Sequence, residues 1–284
     1  MPELSEKKIK YLELMANTLR QDVVEMLALA GSGHSAGSLG MADIFSALYF
    51  FILNHNPKKP NWPDRDFLLL SNGHICPILY ASLARAGYFP LEELKTLRKL
   101  NSRLEGHPHR GLLPGVEISS GPLGSGLSEA IGIALSLKID KKKNHVFCLM
   151  SDGEQNCGNT WEAVMLAGKY HLNNLTAFID RNNIQISGFT ENVMPIESLR
   201  RKYESFNWQV LEIDGHNLES IVDAINEAKA IFERPTVIIA HTIPGKGVDF
   251  MESDFTWHGK SPTEHEAKIA LKKLRTLSGR LEEE

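Results

Sequence analysis

Two short polar segments of the sequence combine a carboxylate with an amide beside small residues. Asp152 follows the apolar run His145–Met150 and precedes Gly153, and Asn182 follows a second apolar run, Leu175–Ile179. A lone Asp-Gly pair is usually an ordinary turn in which the aspartate caps a helix. Carboxylate and amide oxygens are, however, preferred ligands of Mg²⁺, which also binds phosphate oxygens. The two segments together therefore predict a site for a divalent metal and a diphosphate.

The spacing of these segments fits a strand–helix–strand unit. The residues between the two apolar runs, Thr160–Tyr170, place Trp161 and Val164 at helical spacing. Such a unit forms a right-handed crossover between two parallel strands, whose carboxyl ends lie at the same edge of the sheet. Ligands of open α/β sheets bind outside that edge, so we expect Asp152 and Asn182 to meet there.

Apolar periodicity and turn residues predict the remaining elements of an α/β chain. Further strands are predicted at Phe67–Leu70, Gln209–Ile213 and Pro235–Ala240. Helices are predicted over Glu6–Leu29, Met41–Leu53, Ile75–Arg85, Leu91–Leu100, Leu127–Lys138, Pro195–Phe206 and Leu218–Phe232. A capping box formed by Thr263 and Glu266 opens a final helix.

Histidines recur in loops that follow predicted strands or lie in glycine-rich segments. Taken singly, each is more typical of a structural histidine. Because all of these loops can lie at one edge of the sheet, we expect the histidines to converge on the metal site, where they could transfer protons near neutral pH. The histidines concerned are His34, His74, His107, His216, His241 and His258.

A glycine-rich turn, Gly121–Gly126, opens the predicted helix Leu127–Lys138. Backbone N–H groups at a helix N-terminus can bind an anion or a ring nitrogen, although an ordinary turn and cap would have the same sequence. Nearby, His107 and His109 form a His-x-His pair. No cysteine or acidic residue is spaced to complete a zinc site with this pair.

Composition narrows the class of protein. The chain has 284 residues, a formal charge of −4 and a pI near 6.3, without a basic stripe, so we expect no nucleic-acid partner. The most apolar stretch, Ile44–Leu53, is too short to cross a bilayer, and Met1–Lys10 lacks the apolar core of a signal peptide. Three cysteines without a CxxC pair favour a reduced, cytoplasmic setting.

Seven short motifs together resemble the transketolase family, and the resemblance covers nearly the whole chain. One is the Asp-Gly pair at Asp152 followed about thirty positions later by Asn182-Asn183, within DRNNIQISG, which is similar to the thiamine diphosphate fingerprint. The others are SGH at His34, SNGH at His74, EGHP at His107, GPLGSG at Gly121, DGH at Asp214 and WHG at His258. Each motif alone is weak, whereas the combination is specific.

The resemblance implies a fold and a cofactor. The fold would be a doubly wound, mostly parallel α/β sheet with helices on both faces, forming a single thiamine diphosphate-binding domain over residues 1–284. The metal would be Mg²⁺, for which Ca²⁺ or Mn²⁺ could substitute, and its ligands would be Asp152, Asn182 and the backbone carbonyl of Ile184. The cofactor-binding residues implied are His74, Gly121, Leu123, Asp152, Gly153, Asn182 and His258.

The resemblance also implies catalytic histidines. His34 and His258 would transfer protons near the reacting carbon and the substrate hydroxyls. His74 would lie near the diphosphate, and His107 would contact substrate hydroxyls. Gly121 and Leu123 would hold the aminopyrimidine ring of the cofactor.

Three positions depart from the family pattern. Ser151 replaces the glycine that usually precedes the metal-binding aspartate, and Ser35-Ala36 replaces a common Pro-Gly pair. Cys157 stands where many members have a glutamate that takes part in an interface network, while Glu162 is retained. Serine is small enough to keep the close approach of a diphosphate, although a positive φ there would be costly. The other two departures bear on substrate entry and on coupling between sites rather than on the metal ligands.

The resemblance is to the amino-terminal half of a transketolase. It implies ketol transfer between sugar phosphates, with a second polypeptide, a carboxy-terminal subunit, supplying the pyrimidine domain and the glutamate that activates the cofactor, in an α2β2 assembly. Alternatives are a subunit of another thiamine diphosphate enzyme, such as one similar to deoxyxylulose-phosphate synthase or a keto-acid dehydrogenase, or a non-catalytic cofactor-binding subunit. A nucleotide-binding Rossmann protein is disfavoured because no GxGxxG follows the first strand.

Overall fold

A five-stranded parallel sheet forms the centre of the protein, which we describe from a computed structural model for residues 4–283. The strand order is β1-β2-β3-β7-β6, and every neighbouring pair is parallel. The five strands are β1 (Phe67–Leu70), β2 (Val146–Ser151), β3 (Leu175–Arg181), β6 (Gln209–Asp214) and β7 (Thr236–His241). A separate short antiparallel hairpin is formed by β4 (Ile184–Gln185) and β5 (Gly188–Phe189).

Helices surround the sheet and connect its strands. They are α1 (Glu6–Ala30), α2 (Ala36–Gly40), α3 (Ala42–Ala47), α4 (Cys76–Arg85), α5 (Ser125–Ile139), α6 (Gly158–Lys169), α7 (Thr190–Val193), α8 (Leu199–Ser205), α9 (Leu218–Ala230) and α10 (Glu264–Glu283). The capping box predicted for α10 is present, since the Thr263 hydroxyl accepts a hydrogen bond from the Glu266 N–H and the Glu266 carboxylate accepts one from the Thr263 N–H. No helix among the described residues is long and apolar enough to cross a membrane.

Two hydrophobic cores lie on opposite faces of the sheet. Alternate residues of β2 point to different cores, so Phe147 packs with α1, α3, α4 and α9, whereas Cys148 packs with α5 and α6. Strands that are buried on both faces read as continuous apolar runs, which is why β2 and β3 are recognisable in the sequence. The predicted α/β fold with helices on both faces of a mostly parallel sheet is confirmed.

The unit β2–α6–β3 places the predicted metal site. The two strands are adjacent and parallel, with Ser151 paired with Asp180. The N–H of Asp152 donates a 3.1 Å hydrogen bond to the Asp180 carbonyl, so the chain leaves both strands at the same height. Asp152 and Asn182 are therefore delivered to one edge of the sheet, as the crossover requires.

Three predicted helices differ from the structure. Instead of a helix over Leu91–Leu100, the chain forms a 3₁₀ helix over Leu91–Thr96, because the leucines recur every three residues, which suits the 3₁₀ rather than the α period. The predicted helix Met41–Leu53 is divided into α3 and a π-helical turn, Leu48–Ile52. The predicted helix Pro195–Phe206 begins only at Leu199, where the Ser198 hydroxyl caps it.

Candidate active site

A pocket of about 410 Å³ opens at the carboxyl edge of the sheet, within the usual size of a small-molecule site. Loops that follow β1, β2, β3 and β7 contribute to it together with the loop after α1. Its lining residues are His34, His74, His107, Gly121, Leu123, Ser151, Gly153, Asn182, Ile184, Gln185, Ile186, Ser187 and His258. The residues carried over from the family pattern line this pocket except Asp152, which is fully buried beside it. Two further histidines predicted to converge here, His216 and His241, do not line it.

Asp152 has one carboxylate oxygen bound and one free. Its Oδ2 accepts hydrogen bonds from Arg181 Nη1 at 2.9 Å, from the Asn183 N–H at 2.8 Å and from Thr190 Oγ1 at 3.1 Å. Its Oδ1 is buried and has no hydrogen-bond partner among the described residues. Burial raises the pKa of Asp152, while Arg181 acts in the opposite direction. A buried, unpaired carboxylate oxygen of this kind is suited to a cation.

Asn182 is held with its amide in a defined orientation. Its Nδ2 donates a 2.8 Å hydrogen bond to Asp180, so its Oδ1 faces the other way and accepts the Ile184 N–H at 3.0 Å. Asp180 also accepts the Thr242 hydroxyl at 2.5 Å, and burial raises the pKa of Asp180 to about 7. Because Asp152 contacts the N–H of the residue next to Asn182, the acid and the amide are neighbours.

The donor set at this edge suits a hard divalent cation. Among the described residues, no group of three or more His, Cys, Asp or Glu side chains is placed to hold a metal, so the donors do not match a zinc-type centre. The available donors are instead the free Oδ1 of Asp152, the amide of Asn182 and the backbone at Ile184. Because few protein groups supply these oxygens, coordination positions of the metal remain for phosphate oxygens and water, as Mg²⁺ prefers. The residues therefore fit a metal bound together with a diphosphate.

Three histidine rings form a cluster over the pocket. The ring centroids of His34 and His74 are 5.0 Å apart, those of His74 and His258 are 5.1 Å apart, and those of His34 and His258 are 5.6 Å apart. His107 lies against the glycine-rich turn, since a Cβ atom placed on Gly121 would lie 3.6 Å from its ring. The four histidines carried over from the family pattern are thus brought to one cavity.

Burial keeps these histidines in their neutral form. It is the main cause that lowers the pKa of His34 to about 4, with further contributions from His258, Arg98 and His107. Burial also lowers the pKa of His74, His107 and His258. Near pH 7 each ring therefore has an unprotonated nitrogen that can accept a proton from a bound hydroxyl group.

Two other histidines do not join this cluster, so the expectation that all six would converge is wrong. His216 Nδ1 lies 2.7 Å from Asp43, and its Nε2 accepts the Ile243 N–H at 2.8 Å, which satisfies the ring within the fold. His241 is exposed, 3.4 Å from Glu212 on the neighbouring strand. His216 follows β6 and His241 is the last residue of β7, but the partners of their side chains lie outside the pocket.

The glycine-rich turn before α5 is bound by a buried carboxylate of the chain itself, which the sequence does not reveal. The carboxylate of Glu154, which is fully buried, accepts the Gly124 N–H at 2.6 Å. That N–H group is therefore not available to a ligand. A glutamate two residues after Asp152 gives no sequence signal for this role, because its partners lie about thirty and eighty positions earlier in the chain.

Arg181 is a second residue that sequence reasoning missed. Its guanidinium, 5% exposed, contacts Asp152, Glu191 at 2.7 Å and Glu197 at 3.0 Å. It orients the predicted metal ligand from behind. Its position at the carboxyl end of a buried strand is a signal for a site residue, but a positively charged side chain is not expected at a metal site built from oxygen donors.

Comparison with known proteins gives a consistent result. Residues 12–277 match the family model described as transketolase, thiamine diphosphate binding domain. The chain is 40% identical over 271 residues to the 6-deoxy-6-sulfo-D-fructose transketolase subunit SqwG of Clostridium sp. (strain MSTE9), covering 95% of this chain and 98% of that protein. It is 38% identical over 277 residues to an apulose-4-phosphate transketolase subunit of Phocaeicola vulgatus, covering 98% of each chain.

Longer transketolases match over part of their length. Transketolase 2 of Escherichia coli is 38% identical, and the match covers 92% of this chain but 41% of that protein. The crystal structure of transketolase from Campylobacter jejuni superposes with a TM-score of 0.89 at 36% identity, covering 95% of this chain and 43% of that one. The resemblance found in the sequence is thereby confirmed, and alternatives outside the transketolases are not favoured. The chain belongs to the transketolase family, as its thiamine diphosphate-binding domain.

Proposed function

We propose that this chain is the cofactor-binding subunit of a two-polypeptide transketolase that transfers a two-carbon ketol unit from a ketose phosphate to an aldose phosphate. The observation that carries the proposal is the pocket in which four histidines, three of them partly buried, lie beside the free Oδ1 of Asp152 and the Asn182 amide. Relatives that match this chain along nearly their whole length are named as transketolase subunits. The substrates in their names, 6-deoxy-6-sulfo-D-fructose and apulose 4-phosphate, belong to those proteins.

The contacts of the metal and the cofactor can be assigned to individual residues. Asp152, Asn182 and the Ile184 carbonyl would hold Mg²⁺, and the metal would hold the diphosphate beside Gly153. Gly121 and Leu123 would contact the aminopyrimidine ring. The free carboxylate oxygen and the Asn182–Asp180 hydrogen bond support this assignment, because they present preoriented oxygen donors.

The histidines would bind and exchange protons with the sugar. Bound thiamine diphosphate supplies the carbon nucleophile and the electron sink for cleaving a carbon–carbon bond. His34 and His258, neutral because burial lowers the pKa of each ring, would accept and return protons at substrate hydroxyl oxygens. His107 would position hydroxyl groups, and His74 would lie nearer the diphosphate.

A partner subunit completes the proposal. The longer transketolases extend well beyond the part that this chain matches, which supports a separate carboxy-terminal subunit carrying the pyrimidine domain and the activating glutamate. We further propose an α2β2 assembly, with cofactor sites between unlike subunits. Exposed apolar side chains that line the pocket, Ile186 and Leu123, support an interface there.

We also propose that the chain forms a single domain and works in the cytoplasm. One sheet with a core on each face supports a single domain over residues 1–284, of which 1–3 and 284 lie outside the described part. The three cysteines are free, two of them buried, which supports a reducing cytoplasm.

Reconstitution tests the proposal. The purified chain, alone and with a candidate carboxy-terminal subunit, is titrated with thiamine diphosphate and Mg²⁺ and then assayed for ketol transfer from xylulose 5-phosphate and other ketose phosphates, with products identified. We expect metal-dependent cofactor binding, and turnover only with the partner. Turnover by the chain alone would contradict the two-subunit proposal, and unchanged activity of His258→Ala in the complex would indicate a non-catalytic subunit.

A further inference from the structure

Glu154 is a buried carboxylate that joins three separate segments behind the pocket. Its Oε1 accepts the Gly124 N–H at 2.6 Å and the hydroxyl of Ser71, and its Oε2 accepts the Ser151 N–H at 3.2 Å. Ser71 follows β1, Gly124 precedes α5, and Ser151 ends β2. One side chain thus fixes the separation between the first two loops and the metal-binding end of β2.

Ser71 extends this connection into helix α5. Its Oγ accepts the Gly126 N–H at 3.1 Å, and a Cβ atom on Gly126 would lie 2.5 Å from the same oxygen. The first turn of a helix has N–H groups without helical partners, and a negative charge there is favourable. Glu154 and Ser71 together satisfy the N–H groups of Gly124 and Gly126, so they fix where the 15-residue helix begins.

We propose that Glu154 is a positioning residue that sets the glycine-rich turn, Gly121–Gly124, relative to the metal-binding end of β2. The inference rests on the proposed function, in which Gly121 and Leu123 contact the aminopyrimidine ring while Asp152 serves the diphosphate end. Glu154 therefore determines the distance between the two halves of the cofactor site.

The metal-binding side chains at the diphosphate end have further partners of their own, although Glu154 also accepts the Ser151 N–H beside Asp152. Asp152 is oriented by Arg181 and Thr190, and Asn182 is oriented by Asp180. Loss of the Glu154 carboxylate should consequently weaken contacts to the ring more than contacts to the diphosphate. That difference separates positioning from general destabilisation.

Glutamine cannot replace Glu154 in this role. Its side-chain amide has one acceptor oxygen and one NH₂ group that only donates. If the NH₂ group takes the place of Oε1 it faces the Gly124 N–H, and if it takes the place of Oε2 it faces the Ser151 N–H. Glu154→Gln therefore keeps the size of the side chain but leaves at least one buried N–H group unpaired, whichever way the amide is turned.

Calorimetric titration of the full chain with two ligands, both in the presence of Mg²⁺, tests the inference. Thiamine diphosphate reports both halves of the site, and inorganic pyrophosphate reports the diphosphate half alone. For Glu154→Gln we expect the Kd of thiamine diphosphate to rise about tenfold, the effect of losing one charge-assisted hydrogen bond, while the Kd of pyrophosphate stays within about twofold. Ser71→Ala should also raise the Kd of thiamine diphosphate more than that of pyrophosphate, and it replaces Glu154→Gln in the test if that variant does not fold.

Asp22→Asn is the matched control. Asp22 is a buried carboxylate on α1 that pairs with Arg85 at 2.7 Å, away from the pocket, so its loss should not alter the ratio of the two dissociation constants. An equal loss of affinity for both ligands in Glu154→Gln, or no loss for either, would overturn the inference.

Hydrogen–deuterium exchange without ligand gives an independent readout. We expect the backbone amides of residues 121–127 to exchange at least about threefold faster in Glu154→Gln than in the unmodified chain, since an unpaired N–H group is less protected. Asp22→Asn should leave these amides unchanged. If the unmodified chain binds neither ligand, the proposed function fails, and unaltered exchange in Glu154→Gln would separately refute the positioning role.

Discussion

The hydroxyl of Ser35 donates a 2.6 Å hydrogen bond to the backbone carbonyl of Lys260. Ser35 follows His34 directly, and Lys260 lies two residues after His258, so this bond ties together the loops that carry two of the clustered histidines. Ser35 stands where the family pattern commonly has proline, which has no hydroxyl group and could not donate this hydrogen bond.

Ser35→Ala should loosen that contact without emptying the cofactor site. We expect kcat/KM for ketol transfer in the reconstituted complex to fall about tenfold, and the free energy of unfolding to fall by about 1 kcal/mol, the typical net value of one hydrogen bond. Ser35→Thr keeps the hydroxyl and should retain most of the activity. Equal activity of Ser35→Ala and the unmodified chain would show that the bond does not position the histidines.

Asp152→Asn should weaken metal binding strongly, because it removes the buried carboxylate that we propose as a ligand. We expect the Kd of Mg²⁺, measured calorimetrically in the presence of thiamine diphosphate, to rise by at least about 100-fold, which exceeds the roughly 10- to 100-fold effect of losing an outer contact to a ligand. Thermal unfolding run in parallel checks that the variant is folded. Metal-dependent cofactor binding of undiminished affinity would exclude Asp152 as a ligand.

Arg181→Met should destabilise the fold strongly, because it leaves the buried Asp152 carboxylate without its cation. We expect the free energy of unfolding, from urea titration, to fall by about 3–5 kcal/mol. Arg200→Met is the control: this arginine is 41% exposed and pairs with Glu212 at 2.8 Å, so its loss should cost under about 1 kcal/mol. Similar losses for the two variants would mean that Arg181 does not stabilise Asp152.

His145 should make the fold sensitive to acid. Burial, and secondarily Lys229, lowers the pKa of His145 to about 3. Its pKa in the unfolded chain is near 6.5, so between those two values the unfolded state binds the extra proton and stability falls as pH falls, by up to about 1.4 kcal/mol per pH unit. His145→Gln should flatten the profile of unfolding free energy between about pH 6 and pH 4, whereas replacing the exposed His265 by glutamine should not. A wild-type slope in His145→Gln would refute this role.

The architecture is largely readable from the sequence because it depends on local patterns. Strands β2 and β3 are buried on both faces, so they appear as uninterrupted apolar runs, and turn residues mark their ends. The crossover rule then places Asp152 beside Asn182 without further information. Where a pattern is ambiguous the prediction fails, as at Leu91–Leu100, whose three-residue leucine spacing forms only a 3₁₀ helix.

The supports of the site cannot be read in the same way. Glu154, Arg181 and Ser35 act through partners that are distant in the sequence or through backbone atoms, which carry no sequence signal. The same limit explains His216: its position after a strand suggests the pocket, but Asp43, 173 positions earlier, holds its ring elsewhere. Which way a loop side chain turns depends on tertiary contacts that one sequence does not reveal.

The residues that line the pocket determine how well it can bind an anion. Among the described residues that line the cavity, none is a lysine or an arginine. Anions lose much of their hydration in such a place, and without a cation that loss is not recovered. Occupancy by a pyrophosphate ester should therefore follow the free magnesium concentration of the surroundings, because the ion stabilises the bound form by mass action. In a buffer that chelates magnesium, the chain should not bind thiamine diphosphate even when this cofactor is abundant.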